Sequence, residues 1–122
     1  MRILVVEDEV LIAVALEEGI EDLGHEVVGP YKQVSDALKA AQAESIDGAI
    51  LDVNLRDELV FPVAEALKAR GVPFVFCTGY AEMQLIPEAF TGYACLSKPC
   101  PPDTVMAALG LTEVRARRSA SN

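Results

Sequence analysis

Short apolar runs rich in β-branched residues recur along the chain at residues 3–6, 27–28, 49–51, 72–76 and 93–96. Each is nearly uninterrupted and bounded by polar or turn residues, the pattern of strands covered on both faces. Between them the spacing changes. Ile12, Leu16, Ile20 and Leu23, then Val34, Ala37, Leu38 and Ala41, then Val60, Val63, Ala64 and Leu67 recur at three to four residues, which predicts amphipathic helices. The punctuation agrees: Gly24 and Gly71 follow the first and third helices, Ser35 or Asp36 can cap the second, and Pro101 with Pro102 suits the first turn of the last. The interval 81–92 is the exception. It contains Pro87 and Gly92 and little periodicity, so a short or mobile helix is expected there. Strand and helix alternate five times. Such connections are right-handed crossovers, which gives a doubly wound α/β domain with a five-stranded parallel sheet and helices on both faces.

The length of 122 residues, 52% of them apolar, supports one domain with a real core. It is expected over 1–114, followed at 115–122 by a basic tail carrying Arg115, Arg117 and Arg118 that should be a frayed end. The formal net charge of −9 opposes binding to nucleic acid or to anionic membrane, both of which depend on clustered cations. Cations or basic protein surfaces are better partners. The opening run stops at Glu7, unlike an export signal, and the longest uncharged apolar stretch, 10–16, is far short of a membrane span, so a cytoplasmic protein is expected. Cys77, Cys95 and Cys100 include no C-x-x-C pair and have no nearby histidine to complete a zinc set. They read as buried free thiols in a reducing compartment. His25 precedes the second strand and reads as a turn or surface residue.

In open α/β sheets, ligands bind beyond the carboxyl ends of the strands, where strand order reverses. Glu7, Asp8 and Glu9 follow the first strand, Asp52 and Asn54 the third, Thr78 and Gly79 the fourth, and Ser97, Lys98 and Pro99 the fifth. The second ends in Gly29 and Pro30, with nothing ionisable, as suits an edge strand outside the site. With order 2-1-3-4-5, Glu7, Asp8 and Asp52 converge and repel one another unless a cation lies between them. Carboxylate, carbonyl and water oxygens are the ligands that Mg²⁺ prefers. Lys98 adds positive charge opposite, and Thr78 adds a hydroxyl donor, so the rim can cradle a phosphoryl group with Asp52 as nucleophile. Any one acid at a strand end is more often a cap or turn residue. The ordered set is harder to dismiss.

In the stretches ILVVEDE, LDVNL, CTGY and LSKP the chain resembles the receiver domain of bacterial two-component response regulators over nearly its whole length. The resemblance implies the flavodoxin-like (βα)5 fold, Mg²⁺ bound by Glu7, Asp8, Asp52 and the Asn54 carbonyl, Asp52 as phosphoacceptor, and Thr78 and Lys98 as phosphoryl contacts. It also implies a cis peptide between Lys98 and Pro99 and a sensor histidine kinase as donor. One position departs: three residues before Lys98, where most receivers carry a switching aromatic, stands Cys95, and Tyr93 is the nearest ring. The stretch from Pro73 to Pro99 is similar instead to the stand-alone FAT-GUY subgroup, with Tyr80 as its aromatic after Thr-Gly. That kinship implies kinases of the HWE or HisKA2 classes, and a partner surface that includes Tyr80 and Pro99. Tyr80 is expected over the phosphoryl site.

The leading expectation is a single-domain phosphoacceptor, not an enzyme in the turnover sense, that phosphorylates itself from a donor and later dephosphorylates. It would signal to an unknown downstream protein through altered contacts, as a monomer or weak dimer. The alternatives are an aspartyl-phosphate phosphatase or a phosphate-sink receiver. A phosphatase calls for a second Asp two residues after the nucleophile, where this chain has Asn54. A flavin carrier on the same fold calls for Ser, Thr and Gly in the first loop, where Glu7, Asp8 and Glu9 would repel phosphate.

Overall fold

The computed structural model describes residues 1–110, so the basic tail expected at 115–122 lies outside the described residues. In chain order the elements are β1 (Arg2–Val6), α1 (Val10–Asp22), β2 (Glu26–Tyr31), α2 (Val34–Ala43), β3 (Gly48–Leu51), α3 (Phe61–Ala69), β4 (Phe74–Thr78), β5 (Cys95–Ser97) and α4 (Pro102–Leu109). All pairings in the five-stranded sheet are parallel, in the order β2-β1-β3-β4-β5, as the alternating pattern predicts.

Strand parity divides the interior in two. Leu4, Val6, Ala49, Leu51, Phe74 and Phe76 face the core under α2 and α3, while Ile3, Val5, Ile50, Val75 and Cys77 face the core under α1 and α4. Successive side chains of a strand point to opposite faces, so a run with helices on both sides has to be apolar throughout. Burying each Val, Leu, Ile or Phe among them contributes roughly 1.5–3 kcal/mol, enough to hold the rim residues at the strand ends in a fixed frame. Gly19 on α1 lies against the ring of Pro102 on α4, an approach that leaves no room for a Cβ.

Several local features differ from the sequence reading. The interval after β4 is not an α-helix but two 3₁₀ turns, Tyr80–Leu85 and Glu88–Phe90. The first buries no side chain, and the second is anchored by Phe90, which packs with Phe61, Phe74 and Phe76. Without an apolar stripe to bury, a longer helix has little to stabilise it. Helix α2 starts at Val34 after Gln33, so Ser35 and Asp36 lie in its first turn rather than at the cap; Asp36 suits the positive end of the helix dipole. After β3 a small antiparallel hairpin pairs Asn54–Leu55 with Glu58–Leu59. Its two turn residues, Arg56 (φ 48°) and Asp57 (φ 70°), are left-handed, as a tight two-residue hairpin turn requires.

The cysteine reading requires correction. Cys77 and Cys100 form a disulfide with 6.4 Å between their Cα atoms, and only Cys95 is free. Cys77 points from β4 into the core under α1 and α4, and Cys100 sits just before α4 in that same core. This proximity arises from the crossover, and the 23-residue separation in sequence conceals it.

Candidate functional site

The carboxyl ends of β1, β3, β4 and β5 form one rim above a cavity of about 240 Å³ lined by Asp8, Glu9, Asp52, Asn54, Arg56, Thr78, Gly79, Glu82 and Lys98. Backbone hydrogen bonds hold its loops. The Asp52 N–H donates to the Val6 carbonyl (3.0 Å), the Glu7 N–H to the Tyr31 carbonyl (2.9 Å), and the Lys98 N–H to the Thr78 carbonyl (3.0 Å). The end of β2 therefore serves the site after all. Its main chain, not a side chain, positions the acidic loop, and β2 runs further than its apolar residues suggest, through a cis Gly29–Pro30 peptide to Tyr31. The Lys98–Pro99 peptide is cis, as the family pattern implies.

Asp52 is nearly enclosed. Thr78 Oγ1 donates to its Oδ1 (3.0 Å), and Lys98 Nζ donates to its Oδ2 (3.1 Å). Lys98 also pairs with Glu7 Oε1 (3.0 Å) and lies 3.6 Å from Glu9 Oε1. Burial of Lys98 works against its charge, but the hydrogen bonds from its ammonium to Glu7 and Asp52 prevail and push it up to about 12. Burial pushes Glu7 up to about 7. The Glu9 N–H bonded to its carboxylate opposes that rise, and the charge of Asp52 adds to it.

Glu7, Asp8 and Asp52 each offer a carboxylate oxygen, and these atoms lie within 4.8 Å of one another. Beside them Asn54 lines the cavity with a buried Oδ1 that has no hydrogen-bond partner. Three clustered carboxylates with an unpartnered amide oxygen on the same loop as Asp52 make an all-oxygen donor set that fits a hard divalent cation such as Mg²⁺. The predicted residues Glu7, Asp8, Asp52, Asn54, Thr78 and Lys98 are thus brought together.

One other expectation changes. Tyr80 is 79% exposed and does not line the cavity; that position belongs to Glu82, whose carboxylate folds back over Gly79. Tyr93 stacks on Phe74 with ring centroids 4.0 Å apart and does not line the cavity, in keeping with the departure from the usual switching ring at Cys95. Pro99 is exposed and lines a separate apolar cavity against α1. Sequence reasoning missed Arg56, whose Nε reaches Asp8 Oδ2 at 3.7 Å. A charged residue at the tip of a two-residue turn just after the acceptor would have been the signal.

The family model for the response regulator receiver domain matches residues 3–110, which include every one of these rim residues. The chain belongs to that family. Among solved structures, this receiver is similar to SdrG from Sphingomonas melonis Fr1, with 45% identity, coverage of 89% of this chain and 95% of that one, and a TM-score of 0.78. The BeF3-activated conformation of SdrG matches with a TM-score of 0.70 at the same identity, over 89% of this chain and 92% of that one. A Burkholderia pseudomallei response regulator with a phosphorylated aspartic acid is 26% identical, over 99% of this chain and 74% of that one, with a TM-score of 0.75. Among curated proteins, the phyllosphere-induced regulator PhyR of Methylorubrum extorquens is 37% identical over 99% of this receiver and 48% of its own length. The receiver likewise covers 58% of PdtaR of Mycobacterium tuberculosis, so it spans about half the length of the curated relatives it matches.

Proposed function

We propose that this receiver accepts one phosphoryl group on Asp52 from the phosphohistidine of a sensor histidine kinase and signals through altered protein contacts. The observation that carries the reading is the paired engagement of Asp52, with Thr78 on Oδ1 and Lys98 on Oδ2 beside an open cavity. One carboxylate oxygen of Asp52 attacks phosphorus, the P–N bond to the kinase imidazole breaks, and the leaving nitrogen keeps the electron pair. The Lys98 ammonium and the Thr78 hydroxyl then bind phosphoryl oxygens, offsetting the charge that a carboxylate nucleophile brings to an acidic rim. Mg²⁺, when held by Glu7, Asp8, Asp52 and Asn54, supplies the positive charge that lets two anions meet. Dephosphorylation follows when water attacks the same phosphorus, breaking its bond to Asp52 and releasing inorganic phosphate and the free carboxylate. Asn54 offers an amide where a phosphatase would use an acid, which disfavours that alternative.

The donor is a kinase of the HWE or HisKA2 class acting in the cytoplasm, with a downstream protein as the second partner. No helix among the described residues is long and apolar enough to cross a membrane. Support for a protein partner comes from the start of α1, where Val10 and Leu11 are exposed and Leu11 lines an apolar cavity together with Pro99. The test is intact-mass measurement after incubation with acetyl phosphate and Mg²⁺. Wild type should gain one phosphoryl group, and Asp52→Asn should gain none; equal labelling of the variant would overturn the assignment.

A further inference from the structure

Cys77 immediately precedes Thr78, and Cys100 follows Lys98 by two residues, so the disulfide joins the two segments that carry the phosphoryl contacts. In the sheet, Cys77 lies opposite Leu96 and Thr78 opposite Ser97. The covalent link crosses from β4 to the start of α4 on one face, while Thr78 and Lys98 reach Asp52 at the end of the same strands. Cys77 is 2% exposed. Cys100, at 9%, also lines an apolar cavity of about 200 Å³ with Leu11, Ile12, Ala15, Leu16, Pro99 and Pro102, which gives one sulfur a route to small molecules. The Ser97 carbonyl lies 3.5 Å from Cys100 Sγ, an acceptor ready for the thiol when the bond is open.

We infer that Cys77 and Cys100 are a reversible thiol–disulfide site for low-molecular-weight disulfides, and that its oxidised form restrains Thr78 and Lys98 and slows phosphoryl uptake at Asp52. The second half of this inference rests on the phosphoacceptor reading. In the oxidising direction the Cys100 thiolate attacks R–S–S–R, forming Cys100–S–S–R and releasing RS⁻. The Cys77 thiolate then attacks the Cys100 sulfur and releases the second RS⁻. Two thiols have lost two protons and two electrons, and one small disulfide has become two thiols. The apolar cavity brings an uncharged small disulfide to Cys100, whereas Cys95 packs on the opposite face of the sheet, against the core under α2 and α3.

The physical coupling is steric. Thr78 and Lys98 already touch the free carboxylate at 3.0 and 3.1 Å, so both contacts must move off Asp52 as a phosphoryl group enters. A covalent tie between those segments, added to the hydrogen bond from the Lys98 N–H to the Thr78 carbonyl, opposes that movement. Transient disulfides of this kind are the usual form of thiol chemistry in reducing compartments.

The whole chain is equilibrated with 2-mercaptoethanol and its uncharged disulfide, quenched in acid, unfolded and alkylated, and its mass is read. All three cysteines should be labelled in the reduced state and only Cys95 in the oxidised state, reversibly. Reduction should speed amide exchange at Lys98 several-fold and phosphoryl uptake from acetyl phosphate by a similar factor. Cys100→Ser and, independently, Cys77→Ala should behave as reduced protein in either buffer. An unchanging label count, or equal exchange at Lys98 in the two states, would overturn the inference. If neither state takes up phosphoryl, the phosphoacceptor reading alone fails, because label count and Lys98 exchange still decide the thiol pair.

Discussion

Lys98 Nζ lies 3.1 Å from Asp52 Oδ2, and the same ammonium pairs with Glu7 Oε1 at 3.0 Å, so one cation from β5 neutralises carboxylates delivered by β3 and β1. In the metal-free protein this lysine is the main counter-charge of the rim, because Arg56 reaches only Asp8, and from an exposed turn.

Removal of that ammonium should therefore be felt twice. Lys98→Ala leaves Glu7 and Asp52 buried without a cation, and it should lose roughly 1–3 kcal/mol of stability in metal-free buffer. The loss is smaller than for a fully enclosed pair because the Lys98 side chain is 16% exposed. Mg²⁺ should restore most of the melting temperature by binding the folded state. Beryllofluoride, by contrast, should shift the amide spectrum of the variant much less than that of wild type. A variant that melts like wild type without metal, or responds fully to beryllofluoride, would place the counter-charge elsewhere.

Glu7 sets the pH response. Its folded value is pushed above the ordinary carboxylate value to about 7, so the folded chain takes up a proton that the unfolded chain would release. The sign follows: in metal-free buffer this group favours folding at low pH, and that contribution fades as pH rises towards about 7. Metal binding runs the other way, since a proton on Glu7 competes with the cation. Affinity for Mg²⁺ measured by titration calorimetry should rise as pH climbs through that value and then level off, and Glu7→Gln should flatten the dependence. A wild-type affinity that ignores pH would exclude Glu7 from the metal set.

The segment after β4 should be the part that responds. Its first 3₁₀ turn, Tyr80–Leu85, buries nothing, while Phe90 is held in an aromatic cluster. Few buried contacts mean low local stability. Amides of Tyr80–Leu85 should exchange quickly in the free protein and slow on beryllofluoride binding, with Phe90 protected in both states. A phosphoryl group would meet the Glu82 carboxylate that folds over Gly79, giving this segment a reason to rearrange. Equal protection of Tyr80–Leu85 in the two states would count against such switching.

Much of this receiver was legible in its sequence because the deciding signals are local. A run such as ILVV must be covered on both faces, and the polar residue that ends it must stand on the rim, so Glu7, Asp8, Asp52, Thr78 and Lys98 could be placed together from strand ends and a strand order alone. What the sequence left open depends on approach between distant segments. Cys77 and Cys100 meet only because strand parity and a crossover direct both into the core under α1 and α4. Arg56 reaches Asp8 because two left-handed residues fold the hairpin back over the rim. Glu82 rather than Tyr80 lines the cavity because the weakly patterned interval tightens into a 3₁₀ turn, whose larger rotation and longer rise per residue redirect its side chains. Periodicity reports which face a residue takes within its own element; only packing of one element on another determines which residue it meets.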